Sequence, residues 1–222
     1  MESMIVEDLI LELRDLSNKS EAQRMAQYHK VERLYLGVRV PRVMEIARTH
    51  RKEVVESGLV RVCEGLWRTD IHEARILVGK LLDVCRPAGT EAIWEFINRV
   101  KEDLNGWAIA DHLEPGARQC LIADSKRFDD IESRWLNHPS FWVRRASLVY
   151  TLFLSKKGKD PERPLGWAAG MVDDPEWFIQ KAVGWWLREL SKHNPQRVEE
   201  FLLEYGPRMK LFARREASKY LR

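Results

Sequence analysis

The stretch Pro175-Glu-Trp-Phe-Ile-Gln-Lys-Ala-Val-Gly-Trp-Trp-Leu-Arg-Glu-Leu190 carries the clearest periodic signal in the chain. At ~100° per residue, Ile179, Ala182, Val183, Trp186, Leu187 and Leu190 form one apolar stripe, which predicts a helix with Trp186 in a core. Its neighbour Trp185 falls off that stripe, on a face shared with Phe178, Lys181 and Arg188. A large aromatic side chain on a cationic face is either covered by another helix or available to grip bases, sugars or phosphates.

Two segments upstream show related anomalies. From Phe141 to Leu154, Trp142, Ala146, Val149 and Phe153 make the apolar stripe; Arg145 lies on its edge, while Arg144 points away as an ordinary surface charge. An arginine partly withdrawn from water needs an anionic partner, because its desolvation is otherwise uncompensated. In Trp107-Ala-Ile-Ala-Asp111-His-Leu, Trp107 and Asp111 are four residues apart and share a helix face, the ring above the carboxylate. An aspartate in a run of Ala, Ile and Leu is costly unless paired. Either Arg145 pairs with it and braces two helices, or Asp111 is a working carboxylate in an aromatic-lined pocket.

The rest of the chain is a succession of short helices. Ile5, Leu9, Leu11 and Leu13 begin a first one, and a second runs from Ser20 and Ala22 through Tyr28. Pro41 suits a first helical turn before Val43, Met44 and Ile46. Leu59 to Trp67, Ile71 to Val84 and Thr90 to Val100 follow, and Pro139, Pro161, Pro175, Pro195 and Pro207 stand near the starts of five more. Strand alternation, sustained heptads and a Gly- or Ser-rich linker are absent from the sequence. About a dozen amphipathic helices in series predict an all-α fold, a single domain over residues 1–222 built as a curved, HEAT-like helical-repeat α-solenoid with a basic concave face. A globular helical bundle is the alternative.

Composition bounds the function. The 222 residues are 45% hydrophobic and 32% charged, which excludes a disordered chain. The longest apolar run, Ala146 to Leu154, is half of the ~18 residues a membrane span requires, so no membrane partner is expected. Cys63, Cys85 and Cys120 form no CxxC and read as small core residues of a protein in the reducing cytoplasm. Nine tryptophans outnumber the seven phenylalanines and five tyrosines; Trp67, Trp94, Trp135, Trp142, Trp167, Trp177 and Trp186 are assigned to core.

Charge is uneven. The overall +3 conceals a segment from Ser133 to Lys159 with six bases and no acid, and a segment from Lys181 to Arg222 with ten bases and five acids. Two basic blocks in the C-terminal half suit either solvated helix faces or a surface that follows a phosphate backbone.

Together these blocks resemble one family. Phe178-Ile-Gln-Lys-Ala-Val-Gly-Trp185-Trp-Leu-Arg-Glu189, then Pro195 and Arg215-Glu-Ala217, is similar to the AlkD-type DNA glycosylases. So are Trp142-Val-Arg-Arg145-Ala, Trp107 with Asp111, and Gln27-Tyr28-His-Lys30 followed by Leu36-Gly37-Val38 and Pro41. The resemblance runs from about Ala22 to Ala217. It implies a HEAT-like solenoid that excises N3- and N7-alkylated purines from duplex DNA with no metal or other cofactor, and without the deep base-flipping pocket of other glycosylases. By resemblance Asp111 is the catalytic carboxylate, Trp107 and Trp185 flank it, Arg145 lies by the DNA backbone, and Tyr28 is near the site. Lys30, Arg144, Lys181 and Arg188 join the DNA-binding set, although the family does not require a base at Arg144. A second ring at Trp186 also departs from the pattern.

The expectation is therefore a monomeric, monofunctional alkylpurine DNA glycosylase of base-excision repair, cytoplasmic and nucleoid-associated when bound to double-stranded DNA carrying alkylated bases. A non-catalytic HEAT-like module that binds DNA or protein is the alternative. A metal-dependent hydrolase using Asp111 and His112 is disfavoured, because His29, His50, His72, His112, His138 and His193 offer no ligand pair at helical spacing. His72-Glu73 is not completed to HExxH, since Ile76 holds the last position; these histidines are read as surface or capping residues.

Overall fold

Glycine and proline are sparse, and apolar residues recur three and four apart, so the backbone satisfies itself locally in helices. The computed structural model describes residues 2–85 and 90–221, and among them there are fifteen α-helices and no strand ladder. The chain divides into two compact units, Met1–Asp124 and Ser125–Arg222.

The first unit holds α1 (Glu2–Asp15), α2 (Lys19–His29), α3 (Val40–Thr49), α4 (Arg51–Ser57), α5 (Leu59–Arg68), α6 (His72–Cys85), α7 (Thr90–Val100), α8 (Trp107–His112) and α9 (Glu114–Ala123). Helix α6 is its axis: α3, α5, α8 and α9 all pack on it, and its Leu77, Leu81 and Leu82 are fully buried. Local chemistry starts the helices; Pro41 does so where expected, whereas the second helix begins at Lys19, one residue before Ser20. Asn18 accepts the Glu21 N–H at 3.0 Å as the cap of α2, and Pro41 sits in the first turn of α3. In α1, Ile5, Leu9 and Leu13 are buried, but Leu11 is 57% exposed, because its position is turned away from their stripe.

The second unit holds α10 (Arg127–Arg134), α11 (Phe141–Val149), α12 (Glu162–Gly170), α13 (Trp177–Ser191), α14 (Pro195–Tyr205) and α15 (Leu211–Ala217). Helix α13 packs on α11, α14 and α15, and the stripe read from the sequence is its buried face. Trp135, Tyr150, Trp186 and Phe201 anchor this core, each burial contributing roughly 1.5–3 kcal/mol.

A period is visible in the helix starts. Helices α3, α6, α8, α11, α13 and α15 begin at residues 40, 72, 107, 141, 177 and 211, at intervals of 32, 35, 34, 36 and 34. In three of them, a polar side chain in the first turn braces a neighbouring loop. Glu73, fully buried, accepts the N–H groups of Leu36 (3.0 Å), Gly37 (2.7 Å) and Val38 (3.3 Å). Gln180 donates to the carbonyls of Met171, Val172 and Asp174 and accepts the Lys210 N–H. Arg144 is folded back onto the His138 and Pro139 carbonyls and the Asp174 carboxylate. Arg144 was expected to point outward; its guanidinium is instead a half-buried bracket between α11 and the loop that opens α13.

Three core assignments are corrected. Trp177 is 47% exposed and Trp142 is half-buried, while Trp67, Trp94, Trp135, Trp167 and Trp186 are buried as expected. Cys63 and Cys120 are buried, but Cys85, in the last position of α6, is half-buried. None of the three forms a disulfide among the described residues. No described helix is long and apolar enough to cross a membrane.

Candidate functional site

The first unit gathers its candidate residues where α2 ends and α8 begins. Helix α2 stops at Lys30, which adopts the left-handed conformation (φ 54°) and gives its N–H to the Ala26 carbonyl. That stop leaves Tyr28 70% exposed and turns the chain into the segment braced by Glu73. Gly37 (φ 80°) lets the segment lie against α2, since a Cβ there would fall 2.6 Å from the Ala22 nitrogen.

Helix α8 places Trp107 in its first position and Asp111 one turn later, both half-buried. The buried residues between them, Ala108, Ile109 and Ala110, hold the short helix to the core, so the ring and the carboxylate are carried on a fixed face. Tyr28 meets Trp107 edge to face at 6.1 Å, which brings together two residues that are 79 positions apart in sequence. His112 gives its Nδ1 hydrogen to the Ala108 carbonyl at 2.5 Å, and burial holds its imidazole below the usual range.

Behind Trp107 lies a group that the sequence reading missed. The His29 ring is 5.4 Å from the Trp107 ring, 4.7 Å from His72 and 6.0 Å from Tyr35, the last nearly parallel. His72 and Tyr35 are themselves 4.6 Å apart. His72 is 3% exposed, a core residue rather than the surface or capping group expected, and burial with the nearby His29, Arg33 and His112 pushes its pKa down to about 3. A signal was present in the sequence: His72-Glu73 opens one of the periodic helices.

The second unit carries the rest. Arg145 is 4% exposed on α11, in keeping with its place at the edge of the apolar stripe. On α13, Trp185 is half-buried and Lys181 exposed, its ammonium 4.8 Å over the Trp177 ring. Arg188 is paired with Glu216 and, at 3.1 Å, with Glu189, which also receives Lys192 at 2.8 Å. This guanidinium is thus shared between two carboxylates. Lys30 makes no ion pair among the described residues and is exposed. Those residues hold no group of three or more His, Cys, Asp or Glu side chains arranged to bind a metal.

The family described as "DNA alkylation repair enzyme" matches residues 9–221. A solved structure titled as a predicted DNA alkylation repair enzyme from Enterococcus faecalis is similar, with a TM-score of 0.79 and 26% identity over 92% of this chain and 96% of that one. AlkD2 from Streptococcus mutans shares the fold, with a TM-score of 0.60 and 16% identity over 91% and 98% of the two chains. So does smu.31 from Streptococcus mutans UA159, with a TM-score of 0.59 and 16% identity over 82% and 98%. No curated protein matches.

Proposed function

The chain belongs to the family of DNA alkylation repair enzymes, and we propose that within it this protein is a monofunctional DNA glycosylase that removes cationic N3- or N7-alkylated purines from duplex DNA. The observation that carries this reading is the pairing on α8: a carboxylate one turn below an indole, on a helix whose three intervening residues are packed into the core.

Alkylation at N7 or N3 makes the purine a cationic, good leaving group, so little acid catalysis is required. The barrier is the positive charge that develops on the deoxyribose as the C1′–N9 bond stretches and its electron pair passes to the purine. The Asp111 carboxylate stabilises that charge and orients the water, whose oxygen bonds to C1′ while its proton leaves to solvent. The products are a neutral purine and an abasic site. Trp107 and Tyr28 offer ring faces to the cationic nucleotide, each such contact contributing on the order of 1 kcal/mol. On α13, exposed Lys181 and half-buried Trp185 take the strand through charge and stacking. Lys30 serves a phosphate, whereas Arg144 and Arg188, already engaged with carboxylates, serve the fold.

The test is release of 7-methylguanine or 3-methyladenine from methylated duplex DNA. Asp111→Asn is expected to lower release at least ~100-fold with DNA affinity within about twofold of the parent. Excision by that variant at the parent rate would sink the proposal. Borohydride trapping of a covalent DNA adduct would contradict the monofunctional part.

A further inference from the structure

We propose that His29 is a charge-selecting, positioning residue: its neutral imidazole holds Trp107 and leaves the indole's electron density to a cationic nucleotide, and its protonation competes with that ligand. The inference rests on the reading of Trp107 and Asp111 given above.

The geometry is specific. His29 is the last residue of α2, and its ring lies within 5.4 Å of the Trp107 ring, inside the ~6 Å over which a cation is drawn to an indole. His72 lies 4.7 Å and Tyr35 6.0 Å from the same imidazole, and Tyr28 meets it nearly at right angles at 5.1 Å. A ring packed among four aromatic neighbours has little room to turn, so it fixes the indole from behind. If it gained a proton, the imidazolium would itself be the cation drawn to Trp107. It would also repel the positive base and sugar that the site is built to receive.

Its surroundings favour the neutral form. On its own helix the flanking groups are Tyr28 and Lys30; the following segment contributes Arg33 and Tyr35. Helix α6 presents neutral His72, and α8 presents Trp107 with Asp111 and His112 one turn on. Burial depresses the His29 pKa from its ordinary value. Arg33 is paired with Asp70 at 3.1 Å, and the Glu73 carboxylate is committed to three backbone N–H groups. Among the described residues neither His29 nor His72 has a hydrogen-bonded carboxylate that would stabilise an imidazolium.

The experiment measures binding by fluorescence anisotropy to two duplexes. One contains a pyrrolidine abasic analogue that is protonated across the range used; the other contains the uncharged tetrahydrofuran analogue. For the parent, the preference for the charged duplex is expected to fall about tenfold between about pH 7.5 and about pH 5. His29→Phe keeps a flat ring against Trp107 and is expected to hold the preference constant over that range; His29→Gln, a smaller uncharged side chain, serves if the phenylalanine variant is unstable. A pH-independent preference in the parent overturns the proposal while leaving the glycosylase reading standing. An unchanged acid loss in both variants also overturns it and assigns the titration to another group. Failure of the parent to bind either duplex overturns both.

Discussion

A Cβ on Gly79 would overlap the carbonyl group of His112, whose carbon would lie 2.6 Å away. Helix α8 thus ends directly against the backbone of α6, and the position of Trp107 and Asp111 depends on a missing methyl group. Ala is intrinsically better than Gly inside a helix by about 1 kcal/mol, but overlap with a backbone carbonyl cannot be relieved by a rotamer change. Gly79→Ala is expected to destabilise the protein by a net ~1–2 kcal/mol in urea titration. Displacing α8 should also lower single-turnover excision at least about tenfold. A variant with parent-like stability and rate would show that α8 is not seated by this contact.

The Glu73 brace gives a second test. A fully buried carboxylate that accepts three N–H groups replaces its hydration with protein donors. Glu73→Gln keeps the volume but places two N–H donors among others, leaving backbone groups of Leu36–Val38 unsatisfied. Roughly 2–4 kcal/mol of stability should be lost. Protection from hydrogen exchange should fall first at Leu36, Gly37 and Val38; a uniform loss over the whole first unit would contradict a local brace.

Arg144 separates a structural from a DNA-binding role. Its guanidinium bonds to Asp174 at 3.0 and 3.2 Å and to the His138 carbonyl at 2.8 Å. Asp174 in turn accepts the Glu176 N–H at 2.9 Å, just before α13 begins. Arg144→Met is expected to cost about 1–3 kcal/mol of stability. A residue that neutralised a phosphate would also reduce the slope of log affinity against log salt by about 0.9. For Arg144 that slope should be unchanged, whereas Lys181→Met should reduce it with little effect on stability.

How far the sequence sufficed follows from these residues. The buried face of α13 was legible because Ile179, Val183, Trp186 and Leu190 repeat with the period of a helix, and the structure buries all four. Trp177 and Leu11 were misplaced where residue type outweighed that rule; each lies off the stripe of its own helix and is exposed. Arg144 was misjudged because its partners are loop carbonyls and Asp174, which no periodicity encodes. Of the group of Tyr28, His29, Tyr35, His72 and Trp107, the resemblance set Tyr28 and Trp107 near the site, but the ring contacts among the five were not legible. Its members come from α2, a loop, α6 and α8, and nothing local marks two histidines 43 positions apart as ring neighbours. What carried the candidate site was one short-range relation, Trp107 and Asp111 four apart on one helix.

His72 makes the last prediction, and its sign follows from burial. In the unfolded chain its imidazole takes up a proton near the ordinary value of 6.5; in the folded protein, burial and then the neighbouring His29, Arg33 and His112 hold that uptake down to about 3. Between those two values the unfolded state carries the extra proton, so stability is present above the window and is lost as pH falls through it. The loss accrues at up to about 1.4 kcal/mol per pH unit, which amounts to roughly 3 kcal/mol by about pH 4. His72→Phe removes the titrating group while keeping a ring between His29 and Tyr35. Urea unfolding from about pH 7 to about pH 4 should therefore show the parent losing stability more steeply than the variant, by close to one proton in slope. Parallel curves would mean that His72 gains its proton as readily folded as unfolded, which a ring only 3% exposed does not permit.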